Sequence, residues 1–467
     1  MENNKFEKKD INAWEKYNKE DKKEVFLLSD RYREFMSIAK TERECVNELI
    51  KIAEKNGFKN LKDIIKNNKT IKSGEKVYIN NMGKTFAMFV IGEEDLEKGL
   101  KIIGSHIDAP RIDLKQNPLY EDSDLALMKT HYYGGIKKYQ WVAMPLAIHG
   151  VVVKKDGTIV NIIIGENDNE PVVGISDLLP HLAADQMTKK ASLVIEGENL
   201  NLLVGSIPVN DKDTKEKIKS NILTLLNEKY NIDENDFVSS EFEIVPAGKA
   251  RDFGIDRSMV MAYGQDDRVC AYTSLEAILK INKVDKTCVA LFVDKEEIGS
   301  VGATGMHSRF FENIIAEIMD RKGDYTELKL RRCLQNSKVL SADVSAAYDP
   351  NFTSVVEKKN CAYFGKGVVF SKYTGSRGKS GCNDANAEYM AELRRIMDDN
   401  NITWQTAELG KVDQGGGGTI AYILAQYNME VIDCGIALQN MHAPWEVASK
   451  ADIYETTRCY EAFYLEA

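Results

Sequence analysis

The stretch ALFVDKEEIGSVGATG sets two glutamates, Glu296 and Glu297, directly behind a short apolar run. Adjacent like charges repel, and a buried charge without a partner is costly. Taken alone, the pair reads as a solvated turn. Other apolar runs in the chain close in the same way, however. LKIIGSHID ends in His106 and Asp108, VLSAD ends in Asp343, and VIDCGIALQNMH reaches His442 after a short loop. MAYGQDDR sets Asp266 and Asp267 at the start of a helical pattern. Nitrogen and oxygen donors in this combination suit two divalent ions of the zinc kind, bridged by one carboxylate. Two histidines and three carboxylates give each ion three protein ligands and leave positions for a water. A further carboxylate that binds no metal can take the proton of that water. Cations between the acidic groups make their joint burial affordable.

Each residue also has an ordinary reading. His106 fits a satisfied core histidine, Asp266 the N-cap of the helix near Arg268, Asp343 a loop cap, and His442 a loop histidine. Their shared position outweighs these readings, because parallel α/β sheets bind ligands beyond the carboxyl ends of their strands. Asp108, two residues after His106, also suits a carboxylate that orients a metal-binding imidazole. With only six histidines in the chain, imidazole chemistry has few other candidates.

The elements that must position these residues follow from periodicity. RYREFMSIAKTERECVNELIKIAEKNG has helical spacing and ends on Gly57, which suits a C-cap. KTFAMFVIG and GLKIIGSHID read as strands, and PLAIHGVVVKKDGTIVNIIIG as a hairpin turning at KKDG. DTKEKIKSNILTLLNEKY is an amphipathic helix and EFEIVPA a strand. From RVCAYTSLEAILKIN onward, helices alternate with the strands TCVALFVD, SKVLSADVS and MEVIDCGI. DANAEYMAELRRIMDDN and TIAYILAQYN are the helices between them. Wholly apolar strands alternating with helices predict an α/β fold, with a mainly parallel central sheet covered on both faces. The texture divides the chain into a discontinuous catalytic domain, 1–109 and 249–467, and an inserted β-rich domain, 110–248. At the strand ends, adjacent glutamates would point in opposite directions, one toward a metal and one toward water.

Composition narrows the class. A chain of 467 residues with a net charge of −10 is a soluble globular type and a poor partner for nucleic acid or an anionic membrane. No run has the length of a membrane helix, and the N-terminus lacks the apolar core of a secretory signal. Eight scattered cysteines, several in apolar runs, indicate reduced core thiols and a cytoplasmic protein. VDQGGGGTIAYILA carries no Gly-Lys-Ser/Thr, so it is not a nucleotide loop. Its open backbone, with Gly416 and Gly417, fits the main chain or carboxylate of a substrate. No G-x-S-x-G elbow supports a serine hydrolase.

In their order, GSHIDAPRIDLK, DDR, DKEEIGSVGATG, SADVSAAYDPNF and MHAPWEVASKADI resemble the aspartyl aminopeptidase family of co-catalytic zinc metallopeptidases, in its bacterial form. The likeness extends from about residue 20 to the C-terminus. More distantly, the chain is similar to the tetrahedral aminopeptidases that cut oligopeptides. The resemblance implies a metalloaminopeptidase that removes the N-terminal residue of peptides through a water bridging two metals. It makes His106 and Asp343 ligands of one ion, Glu297 and His442 ligands of the other, and Asp266 the bridge. Glu296 becomes the general base, and Asp108 orients His106. Two divalent ions per subunit follow, zinc with cobalt or manganese as substitutes. The family also implies a homo-oligomer, a tetrahedral dodecamer built from dimers through the inserted domain. Where aspartyl-preferring relatives carry a second histidine, PHLAAD keeps His181 and has Asp185. That departure weakens an acidic preference, while Lys372, Arg377 and Lys379 of VVFSKYTGSRGKSG could still pair with an acidic side chain. The alternatives are a metal-dependent deacylase or carboxypeptidase using the same cluster, and a non-catalytic assembly or cargo scaffold.

Overall fold

The computed structural model describes residues 11–467, which form two compact units. The first takes the described residues up to Asp108, then 250–441 and 446–467. The second takes 109–249 and the four residues 442–445. The architecture is mixed α/β, with several sheets and flanking helices.

The first unit is built on a nine-stranded sheet. Its order is Lys59–Asn60, Lys76–Asn81, Thr85–Val90, Cys288–Val293, Lys101–His106, Lys338–Ser341, Glu430–Gly435, Val368–Ser371 and Trp404–Thr406. The four strands that carry or adjoin the site, from Cys288–Val293 to Glu430–Gly435, pair in parallel. Toward one edge, Thr85–Val90 pairs antiparallel with both of its neighbours, and toward the other Val368–Ser371 pairs antiparallel with Glu430–Gly435. The sheet is therefore mixed, where the strand–helix alternation predicts a mainly parallel one. The hairpin of 76–81 and 85–90 needs no crossover helix, which permits the antiparallel pairing.

Alternation along the Cys288–Val293 strand sends Ala290 and Phe292 into one core and Val289 and Leu291 into another. Both faces are thus covered, and all six residues are buried. Helices Lys19–Ile38, Glu42–Lys55, Gln265–Lys280 and Lys450–Glu466 contribute to the first core, Phe310–Lys322 and Glu327–Gln335 to the second. The long amphipathic pattern before Gly57 is broken at Ala39 and Lys40, because Thr41 starts a second helix with a capping box to Glu44. The glycine-rich run leads into only a short helix, Ala421–Ala425. Among the described residues no helix is long and apolar enough to cross a membrane.

The second unit carries a six-stranded sheet whose pairings are all antiparallel. Leu146–Val153 and Ile159–Ile164 form the expected hairpin, with Gly157 at φ 87° in the turn. A helix, Lys217–Tyr230, docks through the amides of Ile218 and Lys219, which donate to Glu121.

Candidate metal centre

His106 is the last residue of its strand and is buried, 2% exposed. Its Nδ1 lies 3.0 Å from the carbonyl oxygen of Asp108, which can only accept, so the proton sits on Nδ1. Nε2 then faces Oδ1 of Asp266 at 3.2 Å and Oε2 of Glu296 at 3.9 Å. Burial works against a charged imidazole here. The hydrogen bonds with Asp108 and Asp266 nonetheless hold its pKa well above the usual value.

Asp266 and Asp267 open the Gln265–Lys280 helix with non-helical backbone and are joined by a cis peptide bond. The Asp266 amide donates to Oε2 of Glu446 at 3.0 Å, and Gln265 donates to the Glu446 carbonyl at 2.7 Å. Asp267 turns inward, accepting from the His106 amide at 3.3 Å. Burial pushes the Asp267 carboxyl well up, against the pull of His106. Asp343, just beyond the 338–341 strand, is pushed well up by burial and then by the charge of Asp267.

The two glutamates do not sit on a strand end. The strand stops at Val293, Lys295 takes a left-handed conformation at φ 70°, and Glu296–Ile298 form a single 3-10 turn. The opposed directions expected of an extended pair therefore do not apply. Instead Asp108 fixes the turn, accepting the Glu296 amide on Oδ1 at 3.1 Å and the Glu297 amide on Oδ2 at 3.2 Å. Donor atoms of His106, Asp266 and Asp343 lie within 4.8 Å of one another, as do those of His106, Glu296 and Glu297. An imidazole whose Nε2 faces carboxylates, in a pocket where burial opposes negative charge, fits a zinc-type cation.

Several supporting residues were not legible in advance. Glu446 and Gln265 aim Asp266. Arg268, 1% exposed, donates to the carbonyls of Gly264, Lys40 and Ile107, tying the helix start to the segment between His106 and Asp108. Only the DDR triplet hinted at it.

His442 belongs to the second unit, with Nδ1 2.9 Å from the Gly135 carbonyl. His181 lies in an exposed 3-10 turn, Pro180–Leu182, of the same unit. Lys372, Arg377 and Lys379 share one loop, which packs against the glycine run. The Gly417 amide donates to the Thr374 carbonyl at 3.0 Å, and a Cβ on Gly416 would stand 2.5 Å from Ser376 Cα. Between these loops is a cavity of about 330 Å³ lined by Tyr373, Arg377, Lys379, Glu408 and Asp413. Of its cations Lys379 reaches Asp384 at 2.9 Å, and Lys372 of the same loop reaches that carboxylate at 3.5 Å.

An imidazole and carboxylates converging at the carboxyl ends of a central α/β sheet define a metal-dependent hydrolase. Residues 35–464 match the family model described as Aminopeptidase I zinc metalloprotease (M18), and the chain belongs to that family. A probable M18 family aminopeptidase 1 from Clostridium acetobutylicum is 68% identical over 452 residues, covering 97% of each chain. The crystal structure of aminopeptidase I from the same organism superposes with a TM-score of 0.92 at 66% identity, covering 98% of this chain and 100% of that one. An M18 aminopeptidase structure from Thermotoga maritima gives a TM-score of 0.94 at 46% identity, covering 99% and 100%. The chain is accordingly a zinc-dependent metalloaminopeptidase, which hydrolyses the N-terminal residue from peptides.

Proposed function

We propose that this aminopeptidase works with two divalent ions per chain. His106 and Asp343 would hold one, Glu297 and His442 the other, and Asp266 would be shared. The observation that carries this reading is the convergence of His106 with Asp266 and Asp343, and with both glutamates, within 4.8 Å in each group. Zinc bound there supplies a polarised scissile carbonyl and an acidified water. Glu296, held by its amide on Asp108, accepts the proton of the attacking water and returns it to the leaving amine. Asp108 keeps the His106 proton on Nδ1, so that Nε2 presents its lone pair.

The substrate reading is a broad preference at the N-terminal residue and no demand for an acidic one. Lys372 and Lys379 already share Asp384, so an acidic side chain would have to compete for them. Homo-oligomerisation through the second unit, in a tetrahedral dodecamer, is supported by the family resemblance and by exposed apolar side chains such as Leu182 and Met187, 70% and 76% exposed. A cytoplasmic setting is supported by eight cysteines that are all free thiols.

Matched peptides with free and N-acetylated termini test the reaction: only the free amine should be cleaved, and cleavage of the blocked peptide would point to a deacylase. Zinc bound per chain tests the centre, and a ratio near one would contradict the two-ion arrangement.

A further inference from the structure

The nine-stranded sheet carries a polar row where its neighbours are aliphatic. Gly104, Ser341 and Asp433 are register partners across three parallel strands, and Ser371 continues the row on the next, antiparallel strand. Register partners project to the same face. That face otherwise holds Leu291, Val339, Val431 and Leu424. Asp433 is 3% exposed and Ser341 fully buried. Among the described residues neither oxygen of the Asp433 carboxylate completes a well-aligned hydrogen bond, although the hydroxyls of Ser341 and Thr419 stand beside it.

A buried carboxylate in this condition is expensive, and three responses are open to it: protonation, a water, or a cation. Burial raises its pKa only to about 6, while the neighbouring hydroxyls of Thr419 and Ser341 ease its charge. It therefore stays largely ionised at neutral pH. The side chains of the row beside it are small. Gly104 lets Ile420 approach, its Cδ1 standing 3.2 Å from where a Cβ would be, and this seats Thr419 over the row. Thr419 is itself half-buried at the end of the exposed glycine run, and its hydroxyl oxygen accepts the Ala421 amide at 3.3 Å.

We propose that Asp433, with the hydroxyl oxygens of Ser341, Ser371 and Thr419, binds a monovalent cation of the sodium or potassium kind. The donor set is all oxygen, which selects hard cations over zinc. It carries a single negative charge, which a monovalent ion neutralises and a divalent ion would overbalance in a buried setting. The site lies one row below the zinc cluster. Ser341 precedes Asp343 by two residues, and a Cβ on Gly435 would stand 1.8 Å from the Asp343 carbonyl oxygen. An ion at Asp433 would tie three strands and the glycine run together beneath Asp343. It does not depend on the roles proposed for the zinc ligands.

Two measurements decide the matter. Crystals of the zinc-loaded protein soaked in thallium(I) or rubidium acetate should show an anomalous peak beside Asp433. The zinc-loaded enzyme should also melt about 2 °C or more higher in potassium or sodium chloride than in choline chloride of equal ionic strength. The two salts separate the larger ion from the smaller. Asp433→Asn should abolish the salt response while retaining zinc. A water without anomalous signal, together with equal melting in all three salts, would overturn the proposal. Should the variant not fold, the anomalous map of the unmodified protein is sufficient.

Discussion

Asp108 divides its two oxygens between consecutive backbone amides, taking Glu296 on Oδ1 and Glu297 on Oδ2. Oδ1 also lies 3.3 Å from Nδ1 of His106. One carboxylate thus sets the imidazole and the turn that carries both glutamates. Asp108→Asn keeps the size but replaces one acceptor with a donor that faces an amide. Zinc affinity or activity should fall by about 10- to 100-fold. Zinc titration with a competing chelator, alongside kcat, checks this, and an unchanged zinc affinity and rate would remove the orienting role.

Glu296→Gln is the companion test. The amide side chain is nearly isosteric and its backbone still bonds Asp108, but it cannot accept the proton. Turnover should drop by about a hundred- to ten-thousand-fold with zinc content retained. Retained turnover would assign the proton transfer to another group.

Zinc binding should be pH-dependent, with a direction that the site fixes. In the metal-free protein, hydrogen bonds to Asp108 and Asp266 hold the His106 pKa well above its ordinary value despite burial. Zinc must displace that proton from Nε2, so acid competes with metal. Affinity should weaken about tenfold per pH unit for each proton displaced as pH falls. Calorimetry in buffers of different ionisation enthalpy reads the released protons directly. Chelation should also lower the melting temperature, because the carboxylates would then face one another without the cation.

Much of this centre was legible because apolar strands end in chemically distinctive residues. His106, Asp108 and Asp343 stand where strand ends were expected, and Glu296 and Glu297 lie on the turn just beyond one. What escaped depended on contacts distant in sequence. Glu446 aims Asp266 from 180 residues away, and Arg268 reaches the Lys40 carbonyl across 228. The glutamate turn escaped for a local reason. Thr304 donates to Asp294 at 2.6 Å and Lys295 turns left-handed, which ends the strand before the glutamates begin. The antiparallel strands escaped because an apolar run carries no mark of its direction. Nor does the sequence show that Asp384 folds back onto Lys372 and Lys379, residues that could pair with an acidic side chain.

That pairing leads to a test of specificity. Both lysines and Asp384 are partly exposed, so each pair contributes little, but the one carboxylate offsets part of the loop's positive charge. Asp384→Asn should release them. The kcat/KM for peptides beginning with Asp or Glu should then rise about two- to fivefold relative to those beginning with Leu. An unchanged ratio would place the specificity pocket elsewhere.

Asp452 offers a stability test remote from the metal. It is fully buried in the first turn of the Lys450–Glu466 helix and accepts the amides of Gly365 and Gly367 at 2.9 and 2.8 Å. Burial nevertheless pushes its carboxyl up to about 7, the two amides pulling the other way. In the unfolded chain an aspartate titrates near about 4. Between those values the folded protein holds a proton that the unfolded chain has released, so raising pH across the window destabilises the fold. The penalty is absent below about 4 and complete above about 7. Asp452→Asn cannot ionise and keeps one carbonyl acceptor. Relative to the unmodified protein, it should gain on the order of 2–4 kcal/mol between about pH 5 and about pH 8. Urea unfolding of both proteins at each pH reads the difference, and zinc effects common to the pair cancel. A difference that stays constant with pH would mean that Asp452 is already ionised in the folded protein at the lower pH.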